Sequence, residues 1–544
     1  MRPPATLDIH ARQRGAALLI LFAIISLGAI FALVAGLNRS AAALAAERAQ
    51  KTTAALAQAK EALIAYAATY KDTHDDPQVD PDDAKYYVPG YLPCPDLGSS
   101  VDEGVAALNC PQSGPSSLVS VIGRLPWRTL GIDAAKDGSG ECLWYAVSGT
   151  YKTNPNGVSG STNSNMMNWD TIGQLVVMDA DGSTYLAGAT ADANAVAVIF
   201  APGKALTPAG TSAKQDRTQV SGTAACGGNY TASAYLETAR SINNSAVSAT
   251  ARAQSTFIAG TSSDTFNDRL VYITRADIWN AIKKRSDFNN YLRAMTRRAA
   301  ECTAMYGAYN GGHASDMRLP WAARISLSTT SVSAYAVNAN YNDSSGTRSG
   351  RLSFKVNTSV GATDNDLSTS IADYGTNSAY LFTNSSYCSY APEQKIWYDN
   401  WKDNLFYAVA KNYDPNSQNA PMAACTSSTC LKINGAGSYA AVVIFAGDKL
   451  ADAAGQLIQP RNLATDKGTI AYYLEGSNPG SITANTGGGN YQSAAASSSF
   501  NDIVYAIDTA LAVKCYSGSG LGMVTVPVET VAPPGDPMAY AACP

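Results

Sequence analysis

Histidine is the scarcest chemically versatile residue of this chain, with only His10, His74 and His313 in 544 residues. None of the three lies in a recognisable catalytic motif, although a nucleophile needs such a base close by. No glycine-rich phosphate or dinucleotide pattern follows a strand-like run either. The sequence therefore indicates a protein that is not an enzyme. One enzymatic alternative stays open, a hydrolase that uses two facing carboxylates.

Charge is also sparse, since only 15% of the residues are charged and the net charge is −4. A nucleic-acid-binding protein usually carries a basic patch, so this composition excludes a nucleic-acid partner. Gly, Ser, Thr, Asn and Ala are abundant instead, as in exported proteins. The length is sufficient for two or three domains.

Cysteine is absent from the first part of the chain, and all ten cysteines lie from Cys94 onward. An even number of cysteines in an exported chain is typical of disulfides formed in an oxidising compartment. Cys94 and Cys110 are close enough in sequence to close a short loop. Cys425 and Cys430 are a second candidate pair, because no further pair or histidine stands at zinc-binding spacing beside them.

The N-terminal region lacks both proline and charge over unusual lengths. No proline occurs between Ala5 and Asp76, and no charged residue between Arg14 and Arg39. Such an uncharged apolar run is long enough to cross a bilayer as a helix, and Arg12 with Arg14 would keep the short N-terminal side in the cytoplasm. Everything after Arg39 is expected outside. A plain signal anchor is the alternative interpretation.

The apolar run leads directly into an amphipathic pattern, without the cleavage site of a secretory signal. Apolar residues then recur at steps of three and four, which predicts one helical stripe. The stripe comprises Leu56, Ala59, Leu63, Tyr66 and Tyr70. Residues 16–70 are therefore predicted to form one helix of about 80 Å at the usual rise per residue.

The sequence Arg12-Gln-Arg-Gly15, followed by Ala16-Ala-Leu-Leu-Ile20 and the long helix, resembles the type IV pilins and type II secretion pseudopilins. The resemblance implies cleavage by a prepilin peptidase between Gly15 and Ala16, and methylation of Ala16. Most family members carry glutamate at the fifth mature position, where this chain has Ile20. That departure favours a minor or tip subunit over a bulk filament subunit.

The resemblance also implies the organisation of the N-terminal part. Residues 1–15 are the leader and residues 16–72 the pilin helix, whose membrane half, residues 16–37, includes Ile20, Gly28 and Gly36. The protein would reside in the inner membrane with its C-terminal part in the periplasm, and then join an extracellular or periplasmic filament. Its partners would be the prepilin peptidase and other pilin or pseudopilin subunits, which it contacts through this helix.

Five short sequences occur twice in the same order, which indicates an internal duplication. The pairs are Arg-Leu-Pro-Trp at 124–127 and 318–321, Leu-Trp/Phe-Tyr-Ala-Val at 143–147 and 405–409, Val-Ile-Phe-Ala at 198–201 and 443–446, Tyr-Leu-Glu at 235–237 and 473–475, and Phe-Asn-Asp at 266–268 and 500–502. Lys204 and Lys449 follow the third pair at the same distance. The first of these motifs, with residues 91–96 and 140–148, also resembles large pilin-like proteins of Gram-negative bacteria.

The predicted fold class is therefore α+β, a long N-terminal helix followed by two duplicated pilin-like modules of a helix on an antiparallel sheet. The first β-rich head spans residues 73–275. The second module spans residues 276–544 and has its own packing helix at about 276–309. A second apolar stripe marks that helix at Phe288, Leu292, Met295, Ala299, Cys302, Tyr306 and Tyr309.

One cofactor is suggested, a calcium ion at Asp179 and Asp181. Their alternating oxygens resemble a calcium loop, although a third ligand and the distal glutamate are missing. A β-turn is the alternative. The acidic residues between 72 and 83 are a second calcium candidate, with a solvated linker as the alternative.

The function expected from the sequence is a minor or tip subunit of a type IV pilus-like filament or secretion pseudopilus, which acts in assembly. Adhesion to a surface or a glycan through the second head is a further expectation. The alternative is a membrane-anchored extracytoplasmic binding protein or hydrolase.

Overall fold

The computed structural model describes residues 41–74, 88–98, 102–107, 110, 118–152, 166–218, 225–308, 317–354, 383–384, 388–389, 392–415, 426, 428–516 and 523–526. The leader and the apolar segment, including Gly15, Ala16, Ile20, Gly28 and Gly36, lie outside these ranges. Within them, no helix combines the length and the apolar character that a bilayer span requires.

The first module consists of a long helix, α1 (Ala41–His74), and a seven-stranded sheet with a small separate hairpin. The strands are β1 (Val121–Arg124), β2 (Trp144–Val147), β3 (Leu175–Asp179), β4 (Tyr185–Ala187), β5 (Ala195–Ala201), β6 (Thr238–Ala239), β7 (Ile242–Asn243), β8 (Ser255–Ala259) and β9 (Arg269–Thr274). The sheet runs β1-β2-β5-β3-β4, with β9 beside β5 and β8 beside β3, while β6 and β7 form the hairpin.

Helix α1 is docked along only part of its length. Residues 43–51 are exposed, whereas the apolar face that begins at Thr52 is buried against β5 and β9. Four of the predicted stripe residues are buried to 3% exposure or less and Tyr66 is half-buried, so the helical stripe is confirmed. Gly138 lies close to α1, and its N–H donates to Thr52 Oγ1 at 2.9 Å.

The packing helix expected at about 276–309 is two helices, α2 (Arg275–Lys283) and α3 (Ser286–Ala308). Thr274 caps α2 through a reciprocal bond with Asp277. Arg285 lies between the two helices. Its guanidinium binds the carboxylates of Asp72 and Asp287, both at 2.6 Å, and so ties the start of α3 to the end of α1.

In its described residues, the second module contains an eight-stranded sheet, a two-stranded sheet and three short helices besides α3. Its strands are β10 (Ser349–Arg351), β11 (Thr383–Asn384), β12 (Cys388–Ser389), β13 (Leu405–Val409), β14 (Leu431–Ile433), β15 (Ala436–Phe445), β16 (Gly489–Tyr491), β17 (Ile503–Asp508), β18 (Val513–Tyr516) and β19 (Met523–Thr525), and its helices are α4 (Pro392–Trp401), α5 (Ala464–Lys467) and α6 (Asn478–Ala484).

The two large sheets share a strand order. The antiparallel series β1-β2-β5-β9 corresponds to β10-β13-β15-β17. Each sheet also contains one parallel pair, β3 with β8 and β14 with β16. The fold is mixed α+β with several sheets, as predicted. The expectation of antiparallel sheets was incomplete, because in each module a long connection returns the chain to run alongside an earlier strand.

The second Arg-Leu-Pro-Trp sequence is not the structural counterpart of the first. Leu319, within it, donates its N–H to the carbonyl oxygen of Tyr413 at 2.8 Å. In the first module the same bond, also 2.8 Å, joins Leu92 to Tyr151. The sequence at 318–321 therefore occupies the place of Tyr-Leu-Pro-Cys at 91–94, since a shared Leu-Pro pair fits the same turn.

The true counterpart of Arg124 is Arg351. Both arginines stand at the end of the first strand of a module and form a β-bridge to a residue just after the Leu-Pro turn, Asp96 and Ala323 respectively. Each follows a glycine whose missing side chain leaves room for that neighbouring carbonyl.

The repeated Val-Ile-Phe-Ala sequence also differs from its expected register, by one residue. Ile199 lies opposite Tyr145 in the first module, whereas Val443 lies opposite the matching Tyr407 in the second. Because side chains alternate along a strand, this shift sends the two phenylalanines to opposite faces of their sheets. The expected match of the two lysines that follow, Lys204 and Lys449, is displaced in the same way.

One hydrophobic cluster extends through both modules. It includes the buried face of α1, helices α2 and α3, and most of the second sheet, with Trp279 and Trp401 among its largest members. A second cluster lies on the other face of the first sheet around Trp144 and Phe200. The modules therefore share a core rather than facing each other across a polar gap.

Candidate functional site

A buried network of polar side chains holds together the loops of the first module. Glu237 and Asp268 form its centre: Asp268 Oδ2 accepts the main-chain N–H of Glu237 at 2.9 Å, and Glu237 Oε2 accepts that of Asp268 at 3.1 Å. Gln215 donates to Glu237 at 2.8 Å, and Asn244 donates to Asp268 at 3.0 Å. Glu237 and Asp268 are only 2% and 3% exposed, so the pair is removed from solvent.

The second module contains the same network with the same atoms. Asp502 Oδ2 accepts the main-chain N–H of Glu475 at 3.1 Å and the amide of Asn478 at 2.8 Å, while Gln459 donates to Glu475 at 2.7 Å. The Tyr-Leu-Glu and Phe-Asn-Asp repeats were thus informative because they contain these carboxyl pairs.

In both pairs the surroundings of the aspartate favour its protonated form. Burial raises the pKa of Asp268 and of Asp502 well above the ordinary value of 3.8, and the neighbouring glutamate raises it further. The carboxyl oxygens hold main-chain amides, which orders the loops around them. These paired carboxyls are therefore best described as structural elements of each module.

A tyrosine ring between two guanidinium groups completes each network. In the first module the Tyr235 centroid lies 5.4 Å from Arg124 and 4.8 Å from Arg217. The second module repeats this stack at Tyr473, whose centroid is 4.4 Å from Arg461. Cation–π contacts of this length are favourable, and more so away from water.

The two stacks differ in the carboxylate that pairs with one of their arginines, Arg217 in the first module and Arg461 in the second. Arg217 pairs with Glu141 of its own module at 3.3 Å. Arg461 instead pairs with Asp170 of the first module, also at 3.3 Å, and its side chain is fully buried. The network of the second module is therefore part of the junction between the modules.

That junction contains a buried cluster of ion pairs. Lys449 lies 3.7 Å from Asp170 and 2.7 Å from Asp192, and Arg275 lies 3.6 Å from Asp192. Burial alone would raise the pKa of Asp170, but the positive charges of Arg461 and Lys449 outweigh it and lower the pKa to about 2. Asp170 is consequently ionised at physiological pH.

The loop that carries Asp170 is anchored on helix α4 of the second module. Asn400 accepts the N–H of Met167 at 2.7 Å through its side chain, and its carbonyl accepts the amide of Asn168 at 2.7 Å. The ring of Trp169 in the same loop packs on the second module, with its centroid 4.4 Å from that of Trp401 and 5.7 Å from that of Phe445.

Beside this loop lies a cavity of about 420 Å³ between the modules. The first module contributes the segment from Asn168 to Gln174, and the second contributes Ser333, Arg461 and Lys467. Cavities of this size at domain junctions are the usual places for small-molecule binding. We take this junction cavity as the candidate functional site.

The cysteine pairs predicted from the sequence are confirmed in part. The disulfide between Cys94 and Cys110 is confirmed, and a second joins Cys142 to Cys226. Cys430 is disulfide-bonded, while Cys425 lies outside the described residues.

Asp179 and Asp181 lie at the turn between β3 and β4. Asp181 Oδ1 accepts the main-chain N–H groups of Ser183 and Thr184, each at 2.8 Å, and its pKa is lowered by bonds with Thr184 first of all. Asp179 Oδ1 accepts the N–H of Ala180. The structure thus shows a side-chain-supported turn here, and calcium binding stays a prediction.

The junction residues were not identified from the sequence. Asp170 and Arg461 are almost 300 positions apart, and nothing local in either segment marks them as partners. One signal was present: Gln-x-Arg ends at Arg217 and again at Arg461, upstream of each Tyr-Leu-Glu sequence. That repeat would have located the stacked arginines.

No family model, curated protein or solved structure matches the chain.

Proposed function

We propose that the protein is a minor or tip subunit of a type IV pilus-like filament or secretion pseudopilus. In this proposal the apolar segment at 16–37 anchors the subunit in the inner membrane and later packs in the filament core. The two modules act outside the membrane. The prepilin peptidase and other pilin or pseudopilin subunits are its partners.

The observation that supports this proposal best is the partial docking of α1. Its exposed first turns, residues 43–51, directly follow the apolar segment, while its later turns are fixed to the first sheet. A helix that projects from a rigid head suits insertion between neighbouring helices of a filament. A plain membrane anchor would not need it.

The second module supports a minor or tip position. Helix α3 packs against β15, β17 and β18 and is buried along most of its length, so it has no projecting half of its own. The subunit therefore carries two heads on a single projecting helix. Together with Ile20 in place of the usual glutamate, this bulk favours a place outside the densely packed shaft.

N-terminal processing is the first test of this proposal. We expect mass spectrometry of surface filaments sheared from cells to detect a peptide that begins with methylated Ala16. The Gly15→Val variant should retain its leader, because the peptidase cuts after this glycine. Gly36→Ala, a glycine change far from the cleavage point, is the matched control and should be processed normally. Equal sizes of Gly15→Val and wild-type protein in cells would refute the leader assignment.

A second candidate function is a membrane-anchored extracytoplasmic binding protein, which the junction cavity favours. It requires neither cleavage nor filaments. An intact Met1 peptide found only in the membrane fraction would support it against the filament proposal.

A further inference from the structure

We propose that a second cavity, beside helix α3, binds an organic carboxylate whose carboxyl group is held by Arg293 and Tyr505. This cavity of about 570 Å³ lies between the first turns of α3, strands β17 and β18, and residues 493–496, and we call it the α3 cavity. The inference goes beyond the filament proposal and does not depend on it, because such a site can serve a filament subunit or an anchored binding protein.

Arg293 gives the α3 cavity a cation that the protein itself does not pair. Its side chain is half-buried on α3 and lines the cavity. Within the described ranges, its guanidinium has neither a salt bridge nor a hydrogen bond. One turn later on the same helix, Arg297 is bound to Glu301 at 2.8 Å. The guanidinium of Arg293 is therefore available to a ligand, unlike that of its neighbour.

Tyr505 adds a hydroxyl donor at the same wall. The residue is only 2% exposed and lines the cavity, and its hydroxyl has no hydrogen-bond partner in the part of the chain that the structure describes. That oxygen is nevertheless not among the polar atoms sealed from solvent. Burial raises the pKa of Tyr505 to about 12, and the nearby positive charges of Arg293 and Arg297 act against this rise. The hydroxyl is thus a neutral donor close to Arg293.

The charges that line the α3 cavity leave one positive charge uncompensated. Lys283 Nζ pairs with Asp448 at 2.5 Å, so these two charges cancel. Asp502 is buried, its surroundings favour the protonated form, and its Oδ1 is sealed from solvent. Arg293 is the remaining charge among the described lining residues. A monoanion balances it, and a planar carboxylate also fits the paired N–H groups of a guanidinium.

The rest of the wall suits a short apolar body attached to the carboxylate. Leu292 is buried, Ile503 is half-buried, and residues 494–496 are three alanines. Contact with these groups would remove apolar ligand surface from water, which is favourable. The volume of the cavity lies within the usual range for small-molecule sites. We therefore expect an aliphatic or aromatic acid rather than a bare inorganic anion.

The α3 cavity is a departure from the duplicated architecture. In β17, Tyr505 lies opposite Val443. In the corresponding strand β9, Val271 lies opposite Ile199, the counterpart of Val443. Strand β18, which forms part of the cavity wall, has no counterpart among the described strands of the first sheet, where β9 pairs with β5 alone. The duplication therefore does not account for the tyrosine hydroxyl or for the wall beside it.

Saturation-transfer NMR on the full chain in a nonionic detergent tests the proposal with four acids, each compared with its uncharged amide. The acids are butyrate, hexanoate, benzoate and N-acetylleucine. N-acetylleucine represents the C terminus of a peptide and the other three represent free organic acids, so the panel distinguishes these sources. We expect at least one acid to bind, with an affinity by calorimetry about tenfold or more above that of its amide, as for a hydrogen bond to a charged group. Inorganic phosphate and butylamine, added as competitors, should not displace it at equal concentration.

Two variants assign the binding to the α3 cavity. Arg293→Gln should weaken it by about tenfold or more, and Tyr505→Phe, which removes only the hydroxyl, by roughly twofold to tenfold. Arg324→Gln, the same change at an exposed arginine of this module, is the matched control and should bind as the wild type does. Thermal unfolding of each variant shows whether it is folded, and Tyr505→Phe decides the test if Arg293→Gln is not.

The proposal is overturned if no acid of the panel binds, if the amides bind as tightly as the acids, or if phosphate or butylamine displaces the acid. It is equally overturned if the folded variants at Arg293 and Tyr505 bind with wild-type affinity. Filament assembly is scored separately by the processing test at Gly15, so the two proposals fail independently.

Discussion

At the scale of single residues, the carboxyl groups of this protein have pKa values that their surroundings shift in opposite directions. Cations around Asp170 lower its pKa, whereas burial and a neighbouring glutamate raise the pKa of Asp268 and of Asp502. The same type of side chain therefore serves as an ion-pair partner at the junction and as an acceptor of main-chain N–H groups within each module. Only the latter use is duplicated.

Asp502 leads to a prediction about pH. Its folded pKa is raised above 3.8, so its contribution to stability is complete below that pH and is lost as the pH rises toward the folded value. Asp502→Asn keeps the hydrogen bonds without the ionisation. We expect its free energy of unfolding, relative to wild type, to improve with rising pH by up to about 1.4 kcal/mol per unit, the slope of one proton.

Thermal unfolding of the full chain in detergent across pH 4 to 8 measures this effect. Asp264→Asn, at an exposed aspartate, is the control and should show a constant difference from wild type. A constant difference for Asp502→Asn as well would argue against the raised pKa of Asp502.

At the scale of elements, one close backbone approach contributes to the docking of α1. A Cβ at Gly138 would lie 2.2 Å from the carbonyl oxygen of Arg48, so any larger residue there pushes the helix off the sheet. The contact falls where the exposed part of the helix ends, beside Thr52. A larger residue at Gly138 should therefore loosen the start of the docked part of α1.

We expect Gly138→Ala to destabilise the protein by roughly 1–3 kcal/mol, the usual cost of overpacking. Gly480→Ala is the matched control, since a Cβ there meets nothing within 4 Å and it should be close to neutral. Limited proteolysis of both variants, followed by mass spectrometry, reports the detachment of α1 as faster cleavage between residues 43 and 74. Equal cleavage rates in the two variants would show that Gly138 does not control docking.

At the scale of the whole molecule, the two modules behave as one body because they share a core. Trp169 of the first module packs among Phe288, Trp401 and Phe445, and the ion cluster around Asp170 lies directly beside it. A junction with both apolar packing and buried ion pairs resists separation more strongly than a flexible linker does. The position of the cavity is fixed by the same contacts.

We expect wild-type protein to unfold in a single thermal transition and Trp169→Ala to lose about 3–5 kcal/mol, the range for removing a buried tryptophan. Differential scanning calorimetry of the full chain should resolve two transitions in this variant, because the modules then unfold separately. Trp127→Ala, at a half-buried tryptophan within the first module, should keep one transition. A single transition at the wild-type temperature in Trp169→Ala would contradict the coupling.

Local patterns predicted local structure well and long-range structure poorly. The stripe from Leu56 to Tyr70, the strands near 143–147 and 405–409, and the bridge between Cys94 and Cys110 follow from periodicity or proximity in sequence. Identical short sequences gave the wrong correspondence for Arg-Leu-Pro-Trp and for Val-Ile-Phe-Ala. Successive side chains of a strand point to opposite faces of the sheet, so a match shifted by one residue puts every side chain on the other face. Sequence identity alone does not show this shift.

The junction could not be predicted, because its ion pairs join segments that are far apart in the chain and different in composition. From the sequence, Asp170 could be a solvated loop residue or a buried ion. Which of the two it is depends on whether the second module packs against its loop. That information is present only in the folded arrangement.

The duplicated polar network has a consequence for how the chain can vary. In each module it fixes both ends of the connection between the Gln-x-Arg and Tyr-Leu-Glu sequences, and this connection is longer in the first module than in the second. The anchoring bonds are the same although the intervening lengths differ. The first connection is therefore the better place to insert an epitope tag, at the exposed Thr231 or Ser233, whereas the second contains the buried residues Ala464, Lys467 and Ile470.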